Sequence, residues 1–425
     1  MNLIRIDTLF NYEKGSLQSS KNVSGNYNFI TASVDWKTHR EYTHETEALI
    51  FAAAAAGSLG RTHYVNGKFI ASDLCFILTP KDPENYPIDL RFYHIIFNEL
   101  RKDIVKNTKS GTSKEAIGLS SFGKYEIPYF EINKQIDIKG KYVASEEIKN
   151  ELTSEFIHQL NLLKKLRQQI LQDAVQGKLV PQDPNDEHAS VLLERIKTEK
   201  EKLVREKKIK KEKLLPPINP DEIPFEIPES WVWCRLGEIC FKITDGFHNT
   251  PPKIGSGIPY ISATHVKSDK IDWENCDYVA ENFHRELYNK AYPQKGELLV
   301  VNIGAGSATP AIIDVTYEFS FKNTAILKFN QELLCNNYLF YYFLLSRENI
   351  YDTLTQGGLQ PFLSLKILNN ITLPLPPRHE QNQIVAKIKQ LMTLCDELEQ
   401  TIQQHQKYTQ ELLQVALKDA LEPKN

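Results

Sequence analysis

Little in this 425-residue sequence is what a membrane protein, a metalloprotein or a catalyst would show. No apolar run approaches the roughly 20 residues that a membrane-spanning helix needs. The opening MNLIRIDTLFNYEKG lacks the uninterrupted apolar stretch of a secretory leader, so cytoplasmic residence is expected. The cysteines Cys75, Cys234, Cys240, Cys276, Cys335 and Cys395 are scattered, with no C-x-x-C and no paired histidine spacing. A zinc site draws its ligands from close local pairs. Free thiols and no metal are therefore expected. An excess of positive charge is missing too, the formal net charge being -3 and the isoelectric point about 6.4. Phosphate contacts come from clustered Lys and Arg, and a local stripe can still exist inside an acidic average.

Catalytic motifs are equally scarce. A phosphate-cradling loop needs Gly-x4-Gly-Lys-Ser/Thr, and Gly67-Lys68-Phe69 has the wrong ending and no earlier glycine. The base-gripping motif of adenine methyltransferases is Asn- or Asp-Pro-Pro-aromatic. Asn249-Thr250-Pro251-Pro252-Lys253 carries an extra residue and no ring. Gly304-Ala305-Gly306-Ser307 could suggest a nucleotide loop, but Gly57-Ser58 after Ala56 matches its last part and argues for a shared turn. The pair Glu147 and Lys149 lies in a helical pattern. No catalytic residue is expected in this chain.

What is present is a duplication. Phe29-Ile30-Thr31-Ala32-Ser33 parallels Tyr260-Ile261-Ser262-Ala263-Thr264, and Ala56-Gly57-Ser58 parallels Ala305-Gly306-Ser307. RQQILQDAVQGKLVP (167–181) parallels TQELLQVALKDALEP (409–423), aligning Gln168 with Gln410 and Leu171 with Leu413. Extended backwards, this pairs Leu152 with Leu394, Phe156 with Leu398 and Leu160 with Ile402. Three matches in the same order imply a repeated unit. Each copy begins with short alternating apolar runs, the mark of strands, and ends in a proline-marked strand (YEIPYF, ITLPLPP). A long helical pattern follows. The alanine run 51–56 reads as helix by propensity. Its partner LLVVNIG (298–304) is β-branched, so a strand is expected in both.

The second helical pattern, from Arg378, places Ile384, Ile388, Leu391, Cys395, Leu398 and Ile402 at the spacing of a coiled-coil seam. The first has Ile148, Leu152, Phe156, Leu160, Leu163, Leu166, Ile170 and Ala174, with Gly177 placed as the C-terminal cap. Each stripe is too narrow to stand alone, and a duplicated unit supplies the partner. An antiparallel pair with a pseudo-two-fold axis is the expected arrangement. Between the copies, residues 179–228 are charged and proline-marked. The Lys-rich run 196–213 also carries Glu199, Glu201, Glu206 and Glu212, and reads as a solvated helix.

ILQDAVQGKLVPQDPNDEHASVLLERIKTEKEKL (170–203) and EIPFEIPESWVWCRLGEI (222–239) resemble the central conserved region of type I restriction-modification specificity subunits. LPLPPRHEQNQIVAKI (373–388) resembles their distal conserved region. The N-terminus departs from the pattern, with no visible counterpart of the Trp231-x-Trp233 opening. The resemblance implies an α+β fold: two homologous mixed α/β target-recognition domains (1–143 and 229–377) and two long antiparallel coiled-coil helices (144–178 and 378–421). It implies a non-catalytic, DNA-binding subunit, each domain reading half of a bipartite site in double-stranded DNA. Two methyltransferase subunits would dock on it and restriction (translocase) subunits would join. S-adenosylmethionine, ATP and magnesium would belong to those partners. Base-edge readout uses Arg, Lys, Asn, Gln, Ser and Thr. The candidates are Lys14, Gln18, Ser19, Ser20, Lys21, Arg61, Lys109 and Lys114 in the first domain, and Thr250, Lys253, His265 and Lys267 in the second. The acidic isoelectric point favours the alternative, a coiled-coil scaffold that binds proteins and no DNA.

Overall fold

The computed structural model describes residues 2–55, 57–110, 115–247, 249–268 and 270–421, without the side chains of residues 287, 413, 414 and 416–421. It divides into two compact units, Met1–Ile157 with Gln403–Asn425, and His158–Ile402.

In the first unit, β1 (Asn2–Arg5) and the single turn α1 (Ile6–Leu9) lead into β2 (Phe10–Lys14). There follow β3 (Tyr27–Ile30), β4 (Lys37–His39), β5 (His44–Ala52), β6 (Thr62–Ala71) and β7 (Cys75–Pro80). Next come α2 (Leu90–Glu99), α3 (Arg101–Thr108), β8 (Lys109–Ser110) and β9 (Ala116–Ile117). Then α4 (Leu119–Lys124), β10 (Glu126–Tyr129) and the helix α5 (Ile132–Val175) complete the order.

In the second unit, the end of α5 is followed by α6 (Ala189–Arg205), β11 (Val232–Arg235), α7 (Leu236–Ile239), β12 (Lys242–Asp245), β13 (Ile258–Ile261) and β14 (Asp277–Val279). It continues with α8 (Glu281–Ala291), β15 (Leu298–Val301), β16 (Pro310–Ile312), β17 (Ser320–Phe321) and β18 (Thr324–Lys328). The remainder is α9 (Asn336–Leu354), α10 (Leu365–Asn370), β19 (Thr372–Leu375) and α11 (Arg378–Leu421).

The duplication holds strand by strand. The first sheet has the order β2-β7-β5-β6-β3-β4, and the second unit has β12-β18-β15-β16 and β17-β13-β14. Substituting the pair β16 and β17 for β6 makes the two orders the same. The one parallel pairing of each sheet also matches, β3 with β6 and β13 with β17. Leu3 lies opposite Pro128 just as Trp233 lies opposite Pro374. The N-terminal strand therefore has a counterpart after all. Leu3 stands where Trp233 stands, which is why no Trp-x-Trp is visible there.

The central strands show why both copies read as unbroken apolar runs. Successive side chains point to opposite faces, and both faces are covered. Leu49 and Phe51 enter the core with Phe92, Ile96 and Phe97, while Ala48, Ile50 and Ala52 enter a second core with Ile30, Phe69 and Cys75. In β15, Leu298 and Val300 face Leu339 and Phe343, and Leu299 and Val301 face Ile261 and Phe321. Each fully buried large side chain contributes about 1.5–3 kcal/mol. The expected strand is present at Phe51 and Ala52, where β5 ends. The six cysteines are free thiols.

The helices α5 and α11 each have 44 residues. The first starts at Ile132, well before the expected 144, because its first turns dock into the first unit. Gln135 is fully buried and Ile138 nearly so. Gln135 Oε1 accepts from Asp89 N at 2.8 Å, and its Nε2 donates to Phe130 O at 2.7 Å. Gln381, at the same place in α11, is also fully buried. Its Oε1 accepts from Cys335 N at 2.8 Å, and its Nε2 donates to Pro376 O at 3.0 Å. Asp89 and Cys335 are the N-caps of α2 and α9. One buried glutamine thus joins two helix starts in each unit. This register differs by one helical turn from the Gln168–Gln410 alignment, since an apolar stripe looks alike after a shift of four residues.

Within the second unit, the end of α5 and the start of α11 run antiparallel. Gln182 and Trp231 both donate to Glu380 near one end, and Arg167 Nη2 reaches Asp396 Oδ1 at 2.6 Å and Glu399 Oε2 at 3.0 Å further along. Leu163, Ile170, Ile384 and Ile388 are buried in this seam, with Leu391 packed against it. Phe156 is buried, and Leu160 and Ile402 are half-buried. Leu152 and Leu398 depart from expectation, at 38% and 52% exposed. They hold the same place counted from the first residue of each helix. A 3.5-residue stripe drifts around a 3.6-residue helix, carrying these positions off the seam.

Gly177 caps α5 as expected, with φ +70° and Lys178 N donating to Asp173 O at 2.8 Å. The region 179–228 is less solvated than its charge suggests. Ala189, Leu192, Leu193 and Ile196 form one face of α6 and pack with Cys234, Leu236 and Ile239, the spacing of an amphipathic helix. The helix stops at Arg205, inside the Lys-rich run. The following segment is clamped by Arg235, which is 4% exposed. Its guanidinium pairs with Glu222 and donates to Pro217 O at 2.9 Å and Asn370 O at 2.8 Å. Glu222 is held down at about 2 by that guanidinium first and the Asn219 N–H second.

Candidate nucleic-acid interface

In each unit, the loop after the second strand is bolted to the sheet at a glycine. Gly15 N donates to Cys75 O at 2.9 Å, and Ser16 N and Leu17 N donate to Ala71 O at 3.1 and 3.2 Å. A Cβ on Gly15 would lie 2.2 Å from Ser72 O, so the backbone approach requires glycine. Gly246 repeats the arrangement: its N–H donates to Thr324 O at 3.2 Å, and a Cβ would lie 2.1 Å from Phe321 O. The parallel bridges Leu17–Ser72 and Phe247–Lys322 correspond. From these anchors project the two main sets of candidates. Lys14, Gln18, Ser19, Ser20 and Lys21 are all exposed, the last three on a single 3-10 turn. In the second unit, Lys322 Nζ donates to Thr250 Oγ1, and Lys253 pairs with Asp277 at 2.6 Å.

The loop after the third strand is also duplicated. Thr31 and Ser33 hydroxyls are 2.6 Å apart, and those of Ser262 and Thr264 are 2.9 Å apart. Three sequence candidates fasten these loops from inside. Arg61 Nη1 donates to Ala32 O at 2.9 Å and Ser58 Oγ at 3.1 Å. His265 Nδ1 accepts from Ser262 N at 3.0 Å, its Nε2 donating to Asn275 O at 3.0 Å. Lys267 Nζ donates to Thr264 O at 2.6 Å. These contacts position the loops, while the first set lies open to solvent.

A third duplicated element went unnoticed in the sequence of the second unit. In the first, the β8–β9 hairpin carries Lys109, paired with Glu115; Lys114 lies outside the described residues. Ala116 bridges Ala54, and Ile117 N donates to Ala53 O at 2.8 Å. In the second unit, residues 356–362 hold the same place: Phe362 bridges Ile303, and Leu363 N donates to Asn302 O at 2.8 Å. The Gly-Gly in TQGGLQP was its only sequence signal. Among the described residues, no cluster of three His, Cys, Asp or Glu side chains is placed to hold a metal ion, and no helix is long and apolar enough to cross a membrane.

Two copies of one strand topology, each presenting polar loops and followed by a 44-residue helix, define a duplicated two-unit protein. The sequence matches the family described as the type I restriction modification DNA specificity domain over residues 1–166 and 228–406. The chain belongs to that family, as a specificity subunit. It is 36% identical over 266 residues to the type I restriction enzyme EcoAI specificity subunit of Escherichia coli. To the EcoEI specificity subunit of the same organism it is 34% identical over 269 residues. Each match covers 60% of this chain and 44% of the relative, so the matched region spans under half of those proteins. The crystal structure of the HsdS subunit from Thermoanaerobacter tengcongensis shares the fold, with a TM-score of 0.60 at 17% identity over 99% of this chain and 96% of that one. A chain solved in work on complex assembly and conformational transition of the type I restriction-modification system gives 0.56 at 16% identity, over 99% and 97%.

Proposed function

We propose that this chain is the non-catalytic, DNA-reading subunit of a cytoplasmic type I restriction-modification complex, with each unit reading one half of a bipartite site. The observation that supports this most is the strand-by-strand duplication, which gives each unit the same anchored loops carrying different side chains. Lys14, Gln18 to Lys21 and Lys109 serve one half-site, with Lys114; Thr250 and Lys253 serve the other. Arg61, His265 and Lys267 hold the reading loops in place. Helices α5 and α11 set the distance between half-sites and receive two methyltransferase subunits, and restriction subunits join that assembly. S-adenosylmethionine, ATP and magnesium act in those partners. Partner subunits share the phosphate contacts, which accommodates the acidic isoelectric point.

The test is a footprint on duplex DNA carrying candidate sites, with the chain assembled on its methyltransferase partners. The reading expects two protected blocks of fixed sequence separated by an unread gap, weakening steeply with salt. A protein-binding scaffold would give no sequence-specific protection.

A further inference from the structure

We propose that the hairpin 356–362 is a reading element of the second unit, entering the major groove with Leu359 against a thymine methyl and Gln360 at a base edge. This rests on the DNA-reading function proposed above. The major groove admits a two-stranded ribbon, and this loop, closed by the bridge between Gln356 and Phe362, is smaller than that. The hairpin is held at its root and free at its tip. Gln356 N donates to Phe362 O at 2.9 Å, Phe362 N to Gln356 O at 2.8 Å and Gly304 N to Pro361 O at 2.8 Å. Gly357 turns the chain at φ +87°, where a Cβ would lie 2.8 Å from Gln360 O. The root is thus fixed before any partner arrives, which lowers the ordering cost of binding.

At that tip, Leu359 is 108% exposed, more than any other large apolar side chain among the described residues. The free chain gains nothing by holding a leucine in water on a rigid support. A partner that covers it gains the burial. Its neighbours select the partner: Gln356 and Gln360 are both exposed, and glutamine pairs its amide with adenine, while an apolar side chain meets the thymine methyl. A purely apolar protein partner would leave both amides unpaired. The first unit carries the β8–β9 pair at the same place, with Lys109 one residue before the position of Gln356.

The experiment uses the full chain assembled with its methyltransferase partners in a host, reading the methylated sequence from modified bases in genomic DNA. Leu359→Ala and Gln360→Ala each relax one or two adjacent base pairs of a single half-site and leave the other half-site unchanged, Gln360→Ala with roughly a 5- to 150-fold loss of discrimination. Both positions are exposed, so the fold tolerates the changes. A methylated sequence unaltered by either substitution overturns the proposal, as does loss spread evenly over both halves. If the unsubstituted chain directs methylation to no defined sequence, the DNA-reading function itself fails, and this inference with it.

Discussion

Replacing Gln381 by alanine removes the joint between α9, β19 and α11. The side chain is fully buried. Its loss strands two backbone groups, the Cys335 N–H and the Pro376 carbonyl, that it now satisfies at 2.8 and 3.0 Å. An unsatisfied buried group costs about 1–3 kcal/mol, so the pair amounts to about 3 kcal/mol after partial relaxation. For a unit of this size, that lowers the melting temperature by roughly 6–12 °C. Calorimetry reads the shift, and amide exchange at Cys335 should rise with it. Gln135→Ala should weaken the first unit by at least as much, since Gln135 also donates to Pro87 O at 2.9 Å. A shift of only about 1 °C in both variants would refute the assignment of these glutamines as joints.

Other outcomes follow from particular contacts. Gly177→Ala forces a left-handed residue and puts a Cβ 2.4 Å from Pro228 Cγ. It should cost at least about 2 kcal/mol by thermal denaturation, and a neutral result would contradict the cap. Glu222 ordinarily titrates at 4.5 and is held at about 2. Its contribution is therefore complete above the ordinary value and is lost as pH falls toward 2. Amide exchange in residues 214–228 should rise over that window and lose its pH step in Glu222→Gln; a step retained there would assign it to another group. Lys14→Ala and Lys21→Ala should each reduce the slope of log affinity against log salt by about 1. An unchanged slope would place both away from DNA.

The parts of the fold visible in the sequence were those where one physical rule acts alone. Strands buried on both faces announce themselves as apolar runs, so ALIFAAAA and LLVVNIG aligned and their strands were assigned. Gly177 was readable because a helix end with positive φ favours glycine. What stayed hidden depended on tertiary context. The start of α5 carries two buried positions, Gln135 and Ile138, too few for a stripe. Leu3 in place of Trp233 keeps the strand pairing while erasing the motif. Leu152 and Leu398 satisfied the heptad pattern, yet helical drift turns both to solvent. The charges of 189–205 masked the narrow face with which α6 docks. The hairpin 356–362 is short, glycine-rich and without lysine, so it lacks the cationic signal of a DNA-facing loop.

In the proposed function, the two reading units act independently. Exchange of residues 1–131 for the corresponding segment of a related specificity subunit, in the assembled methyltransferase, tests this most directly. Sequencing of the methylated bases should show one half of the recognised site replaced by the donor's half, with the other half and the gap between them kept. Alteration of both halves together, or of neither, would contradict it.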